Sequence, residues 1–364
     1  MFEIGPRMPR PPVVDIAARA IGAGHPVYII AEAGVNHDGS LSKAKELVHA
    51  AKDAGADAVK FQVFSADRLV TSNAPTCQYQ KDHAPGARTQ LDLLKSLELK
   101  HDDLVELKNL ARDLSIDFLA TPFGLTELAL LTELGVPAIK IASPDIINVP
   151  LLIAAAETNL PIIASTGAAT MDEIELGVRT IRRNRHQERL ILMHCVSSYP
   201  TDPADARLAS IQVLSGHFTV PVGFSDHTAD AEFSALAVAA GACLLEKHLT
   251  LSRSQEGPDH FFSLEPAQFV QYVSCARNAS ASLGDGRLAP STTELDVRNL
   301  ARRSIVAVRD IQTGTRLKAE DLDVRRPAGG IAPSEWACVI GRVTASDIPA
   351  ETQLDWSMLA PDNG

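Results

Sequence analysis

The sequence lacks the cysteine pattern of a disulfide-bonded or zinc-binding protein. Its 364 residues include five cysteines, an odd number, scattered along the chain without any Cys-x-x-Cys pair. Disulfide frameworks and cysteine zinc sites both depend on paired cysteines at short, regular spacings. The pattern supports neither of them, and we expect a protein of the reducing cytoplasm.

Long hydrophobic runs are missing as well. The N-terminal stretch MFEIGPRMPRPPVVDIAARAIG has prolines where a signal peptide has a continuous apolar segment. No later stretch approaches the roughly 18 apolar residues of a membrane span. We therefore expect a soluble protein that is neither exported nor associated with a membrane.

Aromatic residues and net positive charge are both scarce. Aromatic residues make up 5% of the chain, the formal net charge is -11, and the isoelectric point is near 5.5. A surface that binds nucleic acid needs clustered Lys and Arg, and often aromatic side chains on which bases stack. The composition argues against a nucleic-acid partner but leaves room for a small local anion site.

From residue 27 onward, short apolar runs alternate with longer amphipathic runs, a pattern typical of βα units around a parallel sheet. Eight strands, each followed by a helix, in ~250 residues predict a TIM (β/α)8 barrel. A doubly wound sheet is the alternative, but it usually has fewer strands, and no GxGxxG follows the first one. The predicted strands are VYIIAEAG (27–34), DAVKFQV (57–63), DFLATPF (117–123), AIKIAS (138–143), PIIAST (161–166), LILMHCV (190–196), VPVGFS (220–225) and ACLLEKHL (242–249).

The sequence predicts two domains and one unusual connection. We place the barrel in residues 1–284, a linker in residues 285–302 and a small β-rich domain in residues 303–364, where short β-like runs alternate with Gly and Pro turns. The connection over residues 64–98 is much longer than a standard barrel loop. Loops of that length are commonly lids or partner contacts.

Polar side chains recur at the carboxyl ends of the predicted strands, where the active site of a TIM barrel lies. Taken singly, each has an ordinary explanation, because strand-end lysines often reach solvent and Ser and Thr commonly cap the next helix. Taken together, they favour a site for a phosphate or carboxylate. The donors for such an anion are Lys60, Lys140, Thr121, Ser143, Ser165 and Ser225.

Two histidines end adjacent predicted strands. The imidazoles of His227 and His248 can converge on one divalent cation that polarises a carbonyl oxygen, although both rings could instead only hold loop backbone. The turn in EGPDHFF would carry Asp259 over the barrel mouth, where it could pair with sugar hydroxyls or simply hold the turn. Glu32 and Asn36 end the first strand, and we interpret the nearby His37 as a loop residue rather than a metal ligand.

Eight motifs follow one another in the predicted barrel: IAEAGVNHDGSLSKAKELVHAAKDAGADAVKFQ, ATPF, IKIAS, ASTG, SSYPT, GFSDHT, EKHLTL and EGPDH. In this order they resemble the motifs of the N-acetylneuraminate (sialic acid) synthase family, over nearly the whole chain. Two further stretches, SIVAVRDIQTGTRLKAEDL and RRPAGGI, resemble the antifreeze-like SAF domain of that family. The resemblance predicts a TIM barrel followed by a SAF domain.

The resemblance implies a metal-dependent condensation of phosphoenolpyruvate with the open-chain aldehyde of an N-acylated hexosamine, which releases phosphate and gives a nine-carbon 2-keto acid. It implies Mn or Mg held by His227 and His248, with Glu32 as the catalytic carboxylate. It further implies a domain-swapped homodimer whose SAF domain covers the partner's barrel. The implied phosphoenolpyruvate contacts are Lys60, Thr121, Lys140, Ser143, Ser165, Ser197 and Ser225, and the sugar contacts are Gln62, Tyr199, Asp259 and Arg326.

One position departs from the family pattern, since some sialic acid synthases have Asn where this chain has Ser197. A shorter side chain changes the hydrogen bonds available at the substrate's edge, which leaves the sugar open. N-acetylmannosamine is the first expectation, and synthases of legionaminate, pseudaminate or another nonulosonic acid share the scaffold. A non-catalytic sugar-binding protein of surface biogenesis is a further alternative, against which Glu32, both lysines and both histidines argue.

Overall fold

The computed structural model of the chain describes residues 11–72, 74–75, 89–183, 189–284 and 287–361. The chain divides into two compact units, residues 1–285 and residues 286–364. The long connection predicted over residues 64–98 lies partly outside the described residues. Among those described, we find no helix with the length and apolar character that a membrane crossing requires.

Eight parallel strands of the first unit close into a barrel, which confirms the predicted fold. Each predicted run forms one barrel strand close to its predicted bounds, and the last strand pairs with the first. A short antiparallel hairpin precedes them. The strands are β1 (Val14–Ile16) and β2 (Arg19–Ile21) in the hairpin, and β3 (Tyr28–Gly34), β4 (Ala58–Val63), β5 (Asp117–Pro122), β6 (Ile139–Ile141), β7 (Ile162–Ser165), β8 (Leu190–Cys195), β9 (Val222–Asp226) and β10 (Leu244–His248) in the barrel.

Helices alternate with the barrel strands. The first long helix begins after Ser40, whose hydroxyl accepts from the backbone N–H of Lys43, and it ends before Gly55, whose φ is +82°. Among the described residues, the helices of this unit are α1 (Leu41–Asp53), α2 (Ala66–Leu69), α3 (Gln90–Ser96), α4 (His101–Asp113), α5 (Leu125–Leu134), α6 (Val149–Glu157), α7 (Met171–Arg182), α8 (Ser210–Phe218), α9 (Phe233–Ala239) and α10 (Pro266–Leu283).

Side chains alternate along each strand between the helix-facing side and the barrel interior. Low in the barrel the inward residues are apolar, as Ile30 on β3 and Ala58 on β4 show. Two positions further along the same strands, Glu32 and Lys60 point the same way. The interior therefore has an apolar floor below a polar layer at the carboxyl ends of the strands.

The N-terminal hairpin contributes to the apolar floor. Val14, Ile16 and Ile21 are buried and belong to the same hydrophobic cluster as the inward residues of the barrel strands. The sequence analysis did not predict this hairpin, because strands of three residues are too short to show a periodic pattern. Next to it, the Asp57 carboxylate accepts from the backbone N–H of Ile29 at 2.8 Å.

The second unit is a small β-rich domain with its own core. Strands β11 (Ser304–Ala307) and β12 (Leu322–Arg325) pair in antiparallel register. Helix α11 (Thr292–Ala301) precedes them and falls within the predicted linker, residues 285–302. The core consists of Ile305, Ala307, Ile311, Leu317, Leu322, Ile331, Val339, Ile348, Leu354 and Leu359.

The last β-like run of the sequence, residues 338–348, does not form a continuous strand. It begins inside the short helix α12 (Trp336–Val339) and continues through isolated β-bridges at Val343, Thr344 and Ile348. Gly341 follows the helix with φ +85°, a left-handed conformation that interrupts an extended chain. The domain is therefore held together by short bridges around its core.

Candidate active site

The carboxyl ends of the barrel strands line a cavity of about 420 Å³. This position is the one expected for the site of a TIM barrel. The cavity brings together all of the predicted site residues except two, Ser197 and Arg326. Its predicted lining residues are Glu32, Lys60, Gln62, Thr121, Lys140, Ser143, Ser165, Tyr199, Ser225, His227, His248 and Asp259.

Two lysines and two glutamates form a buried charge cluster in the polar layer that lines this cavity. Lys60 Nζ lies 2.7 Å from a carboxylate oxygen of Glu32 and 3.6 Å from one of Glu246. Lys140 Nζ lies 3.5 Å from the other oxygen of Glu246. Glu32 and Lys60 face each other because they are register partners on β3 and β4. The four formal charges balance, which limits the cost of burying them.

Burial shifts the pKa values of the cluster in different directions. Burial raises the pKa of Glu32 despite the opposing effect of Lys60. Burial also lowers the pKa of Lys140, against the attraction of Glu246. For Lys60, the two carboxylates outweigh burial and raise its pKa. Lys60 therefore keeps its positive charge, and Glu32 is the carboxylate of the cluster that takes up a proton most readily.

Hydroxyl groups surround the two ammonium groups. Lys60 Nζ donates to Thr121 Oγ1 at 3.1 Å, and Lys140 Nζ donates to Ser165 Oγ at 2.8 Å. Ser225 Oγ donates to Glu246 at 3.2 Å. Each hydroxyl can turn its hydrogen toward an incoming anion, because it is both donor and acceptor. The arrangement suits the predicted binding of a phosphate or carboxylate.

Ser197 is exposed and does not line the cavity, but it lies beside a crowded glycine at its rim. A Cβ atom on Gly167 would come within 2.5 Å of Ser197 Oγ and 2.8 Å of Ser143 Oγ. The backbone N–H of Gly167 donates to Ser143 Oγ at 2.9 Å. A side chain at position 167 would displace these hydroxyls, and glycine leaves them in place.

The two predicted metal-binding histidines are neighbours, with ring centroids 5.5 Å apart. His227 Nδ1 donates to the carbonyl oxygen of Val196 at 2.8 Å, which leaves Nε2 with its lone pair. His248 Nδ1 is buried without a hydrogen-bond partner among the described residues and lies 3.7 Å from Asp259 Oδ2. Burial and the neighbouring His227 hold the pKa of His248 well below its usual value. The His248 ring is therefore neutral.

Cys195 is the sulfur-containing neighbour of these rings. Its Sγ lies 3.9 Å from His227 Nδ1. Burial lowers the pKa of His227, but Cys195, the carbonyl group of Val196 and Asp226 together outweigh burial and raise it. Within the described parts of the chain, no three His, Cys, Asp or Glu side chains are arranged to hold a metal ion together. The protein can therefore offer a cation two imidazoles, with further positions left to water or substrate.

Asp259 is held above the cavity by a hydrogen-bond chain that begins at Asn36. Asn36 Nδ2 donates to the carbonyl oxygen of Leu249 and to Ser263 Oγ, both at 2.9 Å. Ser263 Oγ in turn donates to the carbonyl oxygen of Asp259 at 2.5 Å. The loop after β3 thereby fixes the loop after β10. This explains why a buried amide stands at the end of the first strand.

A second hydrogen-bond chain ties the same two loops together. His260 lies 3.0 Å through Nε2 from Asp38 Oδ1 and 2.6 Å through Nδ1 from Thr250 Oγ1. His37, interpreted from sequence as a loop residue, lies in the turn between β3 and α1, and its Nδ1 accepts from the backbone N–H of Gly39. The turn after β3 is thus a structural clamp on the loop that carries Asp259.

The sugar-site candidates lie around the catalytic candidates. The Tyr199 ring packs on His227, with centroids 4.4 Å apart. Gln62 Nε2 donates to Glu32 at 3.2 Å. Burial, with a smaller contribution from Glu32, raises the pKa of Asp259 to about 7. Arg326 belongs to the second unit, where it is exposed directly after β12, so its role stays a prediction.

Glu246 is a site residue to which the sequence analysis gave no role. The sequence signal was present, because Glu246 stands two positions before His248 on one strand, and side chains two apart share a face. Both therefore point into the barrel. Lys247 between them points outward and donates to the carbonyl oxygen of Thr228 at 2.5 Å.

These features define the class of the protein, a TIM barrel with a polar cavity at its mouth, followed by a small β-rich domain. The model of the NeuB family matches residues 47–288, and the model of the SAF domain matches residues 302–360. The chain belongs to the NeuB family. The predicted family resemblance and the predicted SAF domain are thereby confirmed.

Similar proteins include named synthases. The chain is 44% identical to N,N'-diacetyllegionaminic acid synthase of Legionella pneumophila, over 92% of this chain and 95% of that protein. It is 37% identical to N-acetylneuraminate-9-phosphate synthase of Drosophila melanogaster, over 88% and 93%. A crystal structure of the sialic acid synthetase of Leptospira borgpetersenii with citrate superposes with a TM-score of 0.72 at 36% identity, covering 80% of this chain and 96% of that one.

The charge cluster predicts a stability effect of Glu246→Gln. The substitution removes one of two buried negative charges and leaves Lys140 without a carboxylate, so the free energy of unfolding should fall by about 3 kcal/mol. Urea unfolding measures this change. Glu256→Gln, at an exposed position, is the matched control and should change little. A loss below about 1 kcal/mol in Glu246→Gln would show that the cluster is not held by charge compensation.

Proposed function

We propose that the protein condenses phosphoenolpyruvate with the open-chain aldehyde of an N-acylated hexosamine of the N-acetylmannosamine type. The products are a nonulosonic acid and phosphate. The observation that carries this proposal is the convergence, in one cavity of a NeuB-family barrel, of two buried lysines, a buried carboxylate and two neighbouring histidines. A reaction between two small water-soluble metabolites fits the predicted cytoplasmic location.

The lysines and hydroxyls supply the phosphoenolpyruvate site in this proposal. Phosphoenolpyruvate carries a carboxylate and a phosphate, and both need cationic and neutral donors in a water-poor cavity. Lys60 and Lys140 lie near enough to share Glu246 as a partner. An anion placed between them therefore meets two ammonium groups at once, together with the hydroxyls of Thr121 and Ser165.

The two histidines fit a divalent metal, for which we propose Mn or Mg. His227 is oriented by Val196 as metal-binding histidines usually are by a second partner, and His248 has a buried nitrogen without a partner in the described structure. Two imidazoles favour Mn over Mg, because Mg prefers oxygen ligands. When bound, the metal would polarise the aldehyde oxygen of the sugar.

The chain's own residues then have separate tasks. In the proposed reaction C3 of phosphoenolpyruvate attacks the aldehyde carbon, water adds at C2 and phosphate leaves. Glu32 is positioned by Lys60 and Gln62, and its raised pKa suits a group that accepts a proton from the water or stabilises the cation at C2. Tyr199 and Asp259 hold the sugar beside the histidines.

The identity of the sugar has a second candidate. The relative in Legionella pneumophila, at 44% identity, is named for N,N'-diacetyllegionaminic acid, which favours a hexosamine with two acetamido groups. N-acetylmannosamine corresponds instead to the relatives named for N-acetylneuraminate chemistry. Both sugars present an aldehyde in the open-chain form, so the same histidines and lysines serve either reaction.

We also propose a homodimer, in which Arg326 of one chain completes the site of the other. Its support is the apolar surface of α11. None of the residues of this helix is buried, and Val297 and Leu300 are 64% and 70% exposed. These side chains lie three residues apart and share one side of the helix, as a surface that packs against a second chain requires.

The proposed reaction predicts metal-dependent release of phosphate. Purified protein with Mn, phosphoenolpyruvate and an N-acylated mannosamine should release inorganic phosphate, and EDTA should abolish the release until Mn is restored. His227→Ala and His248→Ala should lose Mn affinity by tenfold or more in calorimetry. His101→Ala, an exposed histidine, is the control. Absence of phosphate release with both N-acetylmannosamine and its 2,4-diacetamido relatives would overturn the proposal.

The proposed role of Glu32 predicts a selective loss of turnover. Glu32→Gln keeps the size and one hydrogen-bond acceptor but removes the base, so kcat should fall by about a hundredfold or more. Mn affinity should stay unchanged, since Glu32 is not a proposed ligand. Glu256→Gln is again the control and should retain full kcat. Undiminished turnover of Glu32→Gln with intact Mn binding would refute the role.

The proposed homodimer predicts a molar mass of about twice the 38.9 kDa of one chain, as measured by light scattering. Leu300→Asp introduces a charge into the exposed apolar side of α11 and should shift the measured mass toward that of the monomer. Asn299→Asp adds the same charge at the neighbouring exposed position and serves as control. A monomeric wild-type protein at micromolar concentration would contradict the proposal.

A further inference from the structure

A buried ion pair lies on the outer side of the barrel, directly behind the two histidines. Lys247 Nζ lies 3.2 Å from Asp226 Oδ1, and both side chains are almost completely shielded from solvent. The two residues are register partners on β10 and β9. Neither lines the active-site cavity, because side chains alternate along a strand and these two point toward the helices. The ion pair is therefore separate from the charge cluster inside the barrel.

The regular pairing of the two strands ends at this ion pair. Lys247 and Asp226 are the last register partners between β10 and β9, and the pairing between β8 and β9 ends one residue earlier, at Ser225. His227 comes after both ends, so the hydrogen bonds of the sheet do not set its distance from β10. His248, in contrast, still pairs with β3. Side-chain contacts must therefore hold His227 in place beside His248.

The ion pair holds the residue after His227 from two directions. Asp226 Oδ1 accepts from the backbone N–H of Thr228 at 2.8 Å and from its hydroxyl at 2.7 Å. Lys247 Nζ donates to the carbonyl oxygen of Thr228 at 2.5 Å. His227 thus lies in a turn whose two ends are joined by the Asp226 carboxylate and tied by Lys247 to β10. On the inner side of the barrel, its ring lines the cavity.

The same contact acts on both histidines. Lys247 directly precedes His248, so its hydrogen bond to Thr228 joins the backbone beside one histidine to the backbone beside the other. The two rings lie on the inner side with centroids 5.5 Å apart. On its other flank, His227 donates to the carbonyl oxygen of Val196, in the loop after β8. His227 is therefore held from the β8 side and from the β10 side.

The helix α10 closes this ion pair off from water. Tyr272 of α10 is fully buried, and its ring centroid lies 5.6 Å from Lys247 Nζ, a cation–π contact. Within the described residues, Asp226 Oδ2 and the Tyr272 hydroxyl have no hydrogen-bond partner. Two well-packed apolar side chains would hold the strands against α10 at a lower cost, because burying two ions is expensive. The cost indicates a role beyond packing.

We propose that Lys247 and Asp226 are positioning residues for the divalent cation. Their ion pair fixes the separation of His227 and His248 and thereby sets the affinity of the two imidazoles for the metal, although neither residue touches it. Ligands that are held in advance at the binding geometry lose less freedom when the cation binds. This inference rests on the proposed metal site. It adds what makes the two histidines a preformed pair.

The first test measures metal binding alone. Lys247→Met keeps an unbranched side chain but removes the ammonium group, so Thr228 loses its tie to β10. The affinity for Mn in calorimetry should fall by about tenfold or more, and the EPR spectrum of bound Mn should change. Asp57→Asn is the matched control, because Asp57 is a buried partner of Arg19 and Arg277 before β4, at the other end of the barrel. It should lower the urea midpoint and leave Mn affinity unchanged.

A double variant separates positioning from charge balance. In Lys247→Met the Asp226 carboxylate stays buried without a counter-ion, which itself destabilises the fold. Adding Asp226→Asn removes that charge, and the new amide oxygen can still accept from Thr228. The double variant should resist urea better than Lys247→Met and still bind Mn about tenfold or more weakly than the wild type. If Lys247→Met does not fold, the double variant carries the test.

The outcomes separate this inference from the proposed function. A wild-type protein that binds no Mn, or binds it equally well after His227→Ala and His248→Ala, would refute the proposed metal site itself. Loss of affinity in both histidine variants but not in Lys247→Met would leave the metal site standing and overturn the positioning role. Full recovery of Mn affinity in the double variant would also overturn it, as would an equal loss of affinity in Asp57→Asn.

Discussion

The mouth of this barrel depends on one constraint: two ammonium groups and two carboxylates are buried together and must compensate one another. Lys60 links Glu32 to Glu246, and Lys140 holds the second oxygen of Glu246. An incoming anion meets lysines whose charge the glutamates already balance, so its binding cannot rest on the ammonium groups alone. The hydroxyl groups around them, which can reorient toward an anion, supply the remaining donors. The cluster thus explains why so many strand ends carry Ser or Thr.

The rest of the first unit keeps this cluster in a fixed, water-poor environment. The apolar floor and the N-terminal hairpin exclude water from below, and electrostatic interactions are stronger in such surroundings. From the side, Asn36 and His260 clamp the loops after β3 and β10, which fixes Asp259 next to His248. A residue at a strand end can act chemically only when such contacts hold its loop. The buried polar residues near the first strand are therefore structural parts of the site.

Much of this arrangement could be predicted from sequence, because parallel strands bring their carboxyl ends together whatever the rest of the chain does. The strand count follows from periodicity, and most of the polar residues that line the cavity follow from the strand ends. The N-terminal hairpin could not be predicted from periodicity, since each of its strands has only three residues. Nor could the contact between Asn36 and Ser263, which are 227 positions apart and carry no local signal. Leu69 and Leu94 look like ordinary helix-core residues in the sequence, although the fold places them in the lining of the cavity.

The barrel order also separates the chemical surfaces of the cavity. His227 directly follows β9 and His248 ends β10, whereas the lysines stand on β4 and β6. A ligand with an anionic group and a carbonyl group can therefore reach both sets of partners in only one orientation. Turned around, it would place the anionic group beside the imidazoles and away from both ammonium groups, where it loses its favourable partners. Orientation in this site is therefore set by the distribution of charge around the barrel, and the substrates that match it also lie aligned for reaction.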